Sequence, residues 1–294
     1  MKRSLFCFHT NFLINTVFDF ETNKIKIKSL KKNNVFRFKE MSFEYFIVKH
    51  EGVYELFVLG AHCGRGILRL NGKTQKLEIH REVRIPRKEY AMVYHKGRLY
   101  LCGGCENEIY RSDNLIAQNI FINMFEGSIS ESDPIPNFTL HSPRANPCAF
   151  VFLDRYICVL GGQERNVITY KNMEIFDTEN NFERALVDIH IQTREERIDK
   201  SACGEQLILN NLKAYKRTSD GTKESFILFG GNRGIKCMSN SLAKRLYFFQ
   251  LELEKTQDGF KAVFKPYALV DYKTTPTSKG YGNRRYQTIP NPTV

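Results

Sequence analysis

Four times the chain runs a short apolar strand into a pair of small residues. The copies are Leu56-Phe57-Val58-Leu59-Gly60-Ala61, Leu99-Tyr100-Leu101-Cys102-Gly103-Gly104, Tyr156-Ile157-Cys158-Val159-Leu160-Gly161-Gly162 and Phe226-Ile227-Leu228-Phe229-Gly230-Gly231. A unit recurring at 43, 58 and 69 residues points to a repeat architecture. The apolar runs do not alternate, so each strand is expected to be buried on both faces. The small pair that follows lets backbone turn, or approach closely, where a Cβ would clash.

Around each pair the same grammar repeats. A strand and a tight turn precede it, clearest in Glu89 to Arg98, where Lys96-Gly97 forms a hairpin tip. Cys148 to Arg155 takes that place in the third copy, and Pro86-Arg87 and Pro143-Arg144 open the second and third copies. After the pair come a polar loop and a third strand, Asn172 to Asp177. Thr178 to Asn181 then reads as a turn, and Phe182 opens a fourth strand. Four short antiparallel strands in about 50 residues form the pattern of a propeller blade.

The chain resembles the kelch repeat family. Arg87 and Arg144 match that family's arginine before the first strand, and Gly103-Gly104, Gly161-Gly162 and Gly230-Gly231 match its diglycine. Phe176 and Phe182, six apart, stand where the family has Tyr and Trp; the chain contains no Trp, and Gly60-Ala61 replaces one diglycine. The resemblance implies an all-β fold, a β-propeller of four-stranded kelch-like blades in a single domain over 1–294. Whole units fall near 41–82, 86–136, 143–193 and 200–269. The fourth is read with an insertion, Asn210 to Thr222, between its first and second strands. Residues 1–34 read as half a blade, with Asn15 to Asp19 and Lys24 to Leu30 as its strands, and 271–294 as the lead-in to a strand not completed. The count is about five blades with the closing one incomplete. Three readings stay open: a degenerate ring, a truncated product, or an array that needs a partner. One short helix is expected, over Gln192 to Lys200, where Thr193 and Glu196 form a capping box.

Composition narrows the class. Hydrophobic content of 42% is enough for a packed core in a chain of 294 residues, so disorder is not expected for most of it. No apolar run reaches the ~20 residues needed to span a bilayer as a helix, and no membrane role is expected. The N-terminus lacks the pattern of a secretory leader, so the eight scattered cysteines are read as reduced thiols in the cytoplasm. Net charge is +12 and sits at the ends: ten Lys/Arg against four acids in 1–50, seven against two in 255–294, and near neutrality between. Lys24-Ile25-Lys26-Ile27-Lys28 alternates like an edge strand whose charges deter pairing. That reading is preferred to nucleic-acid binding.

Candidate sites are few. Cys102-Gly103-Gly104-Cys105 has redox spacing, but its glycines belong to the repeat. Zinc would need Cys105, Cys237 and His62-Cys63 to converge from separate units, and no metal or other cofactor is expected. No catalytic motif is present, so the chain is read as not an enzyme. Five arginines recur at matching points: Arg65, Arg165 and Arg233 after the glycine pairs, Arg87 and Arg144 before the first strands. The expected function is therefore a protein-interaction module or scaffold that meets a protein partner through one face carrying these five arginines. For Arg87 and Arg144 an alternative stands beside it, in which they tie strands together by bonding backbone carbonyls. Competing functions are a kelch-type enzyme acting on a sugar and a polyanion binder using the basic ends. Gly60, Gly103, Gly104, Gly161, Gly162, Gly230 and Gly231 are expected to be structural.

Overall fold

The computed structural model describes residues 2–9, 12–19, 24–29, 43–50, 53–60, 67–70, 77–83, 85, 87–106, 114–125, 135–164, 168–169, 172–191, 209, 212–230, 245–273 and 285–288. The fold is all-β with almost no helix. The expected helix over 192–200 lies outside the described residues. No helix among the described residues is long and apolar enough to cross a membrane. The chain divides into two compact units, Met1–Pro86 and Arg87–Val294.

The first unit holds two antiparallel sheets. Strands β1 (Lys2–His9), β2 (Phe12–Asp19) and β3 (Lys24–Ser29) form one, in that order. The sequence suggests two strands in this region. The structure adds β1, whose polar interruptions at Ser4 and His9 do not prevent pairing along all of β2. The lysine-rich β3 sits at a sheet edge, as its alternation suggests. Strands β4 (Phe43–His50), β5 (Val53–Gly60), β6 (Ile67–Leu70) and β7 (Leu77–Arg81) form a four-stranded meander. Gly60 ends its second strand, opposite Phe43. Phe57, Leu59 and Ile67 are buried.

Among its described residues the second unit holds three larger sheets and one two-stranded hairpin. Strands β8 (Ala91–His95), β9 (Arg98–Cys102) and β10 (Ile120–Asn123) form the first. Its fourth strand is reduced to Phe138–Leu140. There Asn119 N–H donates to Phe138 O and Leu140 N–H to Ala117 O. Lys96 and Gly97 both take positive φ at the β8–β9 tip, the geometry that matches strand twist in a two-residue hairpin.

Strands β11 (Cys148–Phe152) and β12 (Tyr156–Leu160) begin the next sheet. A short hairpin, β13 (Gln163–Glu164) and β14 (Ile168–Thr169), precedes β15 (Asn172–Asp177) and β16 (Glu183–Asp188), which complete it in the order β11-β12-β15-β16. Then β17 (His190–Ile191) crosses to pair in parallel with the last sheet. That sheet contains β18 (Leu212–Asp220), β19 (Lys223–Gly230), β20 (Arg245–Thr256) and β21 (Gly259–Lys273), again a meander, with β22 (Arg285–Thr288) on the outer strand.

One expectation is corrected here. Residues 212–220 are no insertion but the first strand itself, paired along its length with β19. Their polar sequence hides this, because the far end of the strand is exposed. In the tail, β22 pairs antiparallel with Val270–Lys273.

The middle sheet explains why its apolar strand does not alternate. All five residues of β12 are buried. Ile157 and Val159 pack towards Tyr100, Cys102 and Phe138 of the preceding sheet. Cys158 and Leu160 pack towards Phe226, Leu228 and Leu251 of the following one. Phe138 lies between Phe176 and Phe182, at 5.1 and 4.6 Å between ring centroids. Such ring contacts add ~0.5–1.5 kcal/mol each beyond area burial.

Candidate functional site

The repeated chemistry gathers where each glycine pair meets an arginine. In the second unit's first sheet, Gly103 and Gly104 follow β9 at φ +65° and +104°. Gly104 N–H donates to Arg144 O at 2.8 Å, a carbonyl of the next sheet. Lys88 and Cys105 then exchange two backbone hydrogen bonds. The middle sheet repeats each step. Gly161 and Gly162 have φ +63° and +90°, Gly162 N–H donates to Leu209 O at 2.7 Å, and Ala145 and Gln163 exchange the two bonds. Even the strained positions repeat, since Glu89 and Asn146 both have positive φ. They touch each other: Asn146 donates its N–H to Glu89 O at 2.6 Å and its Nδ2 to Glu89 Oε2 at 2.7 Å.

Arg87 and Arg144 lie inside this joint and not on a face. Arg144 is fully buried, and Arg87 is 7% exposed. Arg87 Nη1 donates to Gly103 O at 3.3 Å and Gln118 O at 2.7 Å. Arg144 Nη1 donates to Gly161 O at 3.0 Å, and its Nη2 meets Glu174 Oε1 at 2.5 Å. Neither guanidinium is presented to solvent, so both act as the tie that the sequence left as an alternative to partner binding. Burial pulls the Arg87 pKa below its ordinary value. Arg65, Arg165, Arg233 and Gly231 lie outside the described residues. So do Cys63, Cys237 and His62.

Cys102 and Cys105 are fully buried thiols outside any disulfide, at a strand end and the bridge after it. Burial pushes Cys102 up to about 12. A thiol held neutral is a poor nucleophile, so the spacing carries no redox chemistry in this setting. Cys148 and Cys158 are likewise buried and outside any disulfide, and burial raises the Cys158 pKa well above the ordinary thiol range.

Glu174 is the residue that the sequence did not single out. It is fully buried, holds Arg144 through Oε1, and accepts His141 N–H at 2.7 Å through Oε2. The available signal was a charge inside the apolar strand Met173 to Phe176, since a buried acid demands a partner. Glu224 is similar: buried in β19, it accepts from Lys216, Ser219 and Leu153 N–H.

No family model matches the chain, and no curated protein matches it.

Proposed function

We propose that this chain is a kelch-like propeller, about five blades with an incomplete closing blade, that serves as a protein-interaction module rather than an enzyme. One observation carries the reading. The joint at Gly103-Gly104 and that at Gly161-Gly162 share a glycine N–H bonded to a carbonyl of the next sheet and a two-bond backbone exchange just beyond it, so equivalent second strands end at the same side of the stack. Loops that follow those strands therefore leave from one end. Arg165 and Arg233 follow those strands within a few residues in sequence, and Arg65 follows Gly60-Ala61 in the same way. Loops on a rigid sheet scaffold are where binding residues concentrate, and arginine is enriched at binding hot spots. A cytoplasmic setting fits the four buried cysteines that form no disulfide.

The test compares proteins captured by three forms of the full chain. Wild type and a Lys96→Glu/Arg98→Glu variant should retain the same partner. Arg165→Glu/Arg233→Glu should lose it at an unchanged melting temperature. Lys96 and Arg98 sit at a hairpin tip of the opposite end, where Lys96 pairs with Glu179 across an exposed 3.1 Å contact. Such a surface pair is worth little, so the control should stay folded. Loss of the partner in the hairpin-tip variant alone would move the binding face to the other end. Capture of RNA that collapses with salt would favour the polyanion binder instead.

A further inference from the structure

Arg87 and Arg144 hold the same place in consecutive sheets, yet their surroundings differ. In the middle sheet the guanidinium is complete. Besides Gly161 O, it donates through Nε to Ser142 O at 3.1 Å and through Nη1 to Asn172 Oδ1 at 3.1 Å, and its charge is balanced by Glu174. Glu174 stands opposite Val159 in the ladder, and the equivalent position in the preceding sheet, opposite Leu101, is Ile120. Among the described residues no carboxylate pairs with Arg87, and its buried Nε has no hydrogen-bond partner. Asn119, fully buried and adjacent to Ile120, accepts Gly103 N–H at 3.0 Å through Oδ1, while its Nδ2 has no partner.

Two unfilled groups thus flank one glycine, Arg87 donating to its carbonyl and Asn119 accepting from its amide. Leaving buried donors unfilled is costly. A buried cation without a counter-charge is costlier still. Both unfilled atoms are donors, which suits an acceptor-only ligand better than water, whose own hydrogens need acceptors. Both are shut off from solvent, which limits the ligand to a few atoms.

We propose that the Arg87–Asn119 joint binds a small monovalent anion, chloride or a carboxylate of formate size, which supplies at Nε the counter-charge that Glu174 supplies at Nη2 one sheet later. The ligand enters as the sheets close and stabilises the folded state by mass action.

The test melts the full chain in potassium chloride, potassium formate and potassium gluconate at equal concentration, gluconate being too large for the joint. The melting temperature should be higher by a few degrees in chloride, in formate or in both, and rise with concentration. Chloride NMR lines should broaden beyond the surface background if chloride is the ligand. Formate should narrow them if it competes; broadening absent beside a formate-specific rise would assign the site to carboxylates. Ile120→Glu supplies the carboxylate internally, as the next sheet does, and should remove the anion dependence while keeping any general salt effect. Equal melting of wild type in all three salts, with no excess broadening, would mean that water alone fills the joint and would overturn the proposal. So would an Ile120→Glu variant that keeps the full dependence. If that variant does not fold, the wild-type melting and line-width series still decides.

Discussion

The middle and last sheets of the second unit solve one problem in two ways. Each must present a backbone carbonyl to the glycine pair of the sheet before it. The middle sheet presents Arg144 O, and the same residue's side chain reaches back to Gly161 O and Glu174. The last sheet presents Leu209 O, and there the side chain joins the apolar core. The carbonyl is common to both, and the guanidinium is not. Backbone wiring is therefore the invariant of this repeat, with the arginine–carboxylate pair an optional way of filling the space beneath it. The last sheet also carries longer strands, from Leu212 to Asp220, whose far end is exposed, and from Gly259 to Lys273.

The most damaging way to break the comparison is to block the shared wiring. A Cβ on Gly161 would lie 1.9 Å from Leu209 O, at a φ that side chains rarely adopt. Gly161→Val should cost ~3 kcal/mol or more, as strain and clash combine, read as a fall in the urea midpoint. An unchanged midpoint would make the glycine pair incidental.

A second intervention converts one solution into the other. Glu174→Leu strands a buried guanidinium and Arg144→Leu strands a buried carboxylate, each at a cost of ~3–5 kcal/mol. The double variant imitates the last sheet and should recover most of that loss. Calorimetry on the four proteins gives the cycle. A double variant as unstable as the worse single one would mean that the apolar solution does not transfer.

The smallest effect concerns the sheet tips. At the middle sheet, Asp177 is pushed up by burial but pulled down harder by Arg155 and by N–H groups of Glu179 and Asn180, ending below its ordinary value. At the last sheet, burial raises Glu252, and Lys265 and Lys223 outweigh it. A lowered carboxylate pKa contributes stability that is complete above the unfolded value, ~3.9 for Asp, and lost as pH falls through the folded one. Asp177→Asn should therefore melt slightly lower than wild type at neutral pH, with the gap narrowing below about pH 4. A gap of constant size across acid titration would deny Asp177 that role.

The sequence made some of this legible for physical reasons. Glycines with positive φ beside foreign backbone cannot be replaced cheaply, so Gly103-Gly104 and Gly161-Gly162 stand out by repetition alone. The run Tyr156 to Leu160 announces burial on both faces because apolar chemistry is needed at every position. The tie from Arg144 to a backbone carbonyl was one of two readings the sequence offered, but its pairing with Glu174 was not legible, because Glu174 is thirty residues away in sequence and adjacent only after two strands pair. Strand β18 was missed since Lys213, Lys216 and Ser219 follow no apolar period. Its strand conformation comes from pairing with β19. For the binding face, Arg165 and Arg233 were chosen by spacing from the glycine pair, which fixes where a loop begins but not where its side chains go.

The bond from Gly104 to Arg144, repeated from Gly162 to Leu209, sets an order of events during synthesis. A ribosome that has just released Gly104 has not yet made the carbonyl that seals it. Translation proceeds at ~5–20 residues per second, so each turn waits several seconds for the stretch that completes it. In that interval the newest sheet shows an open apolar flank, and the next sheet is the natural cover. Emergence of the chain is thus a ratchet in which each segment finishes its predecessor, and the nascent sheet still waiting is where a chaperone would find its grip.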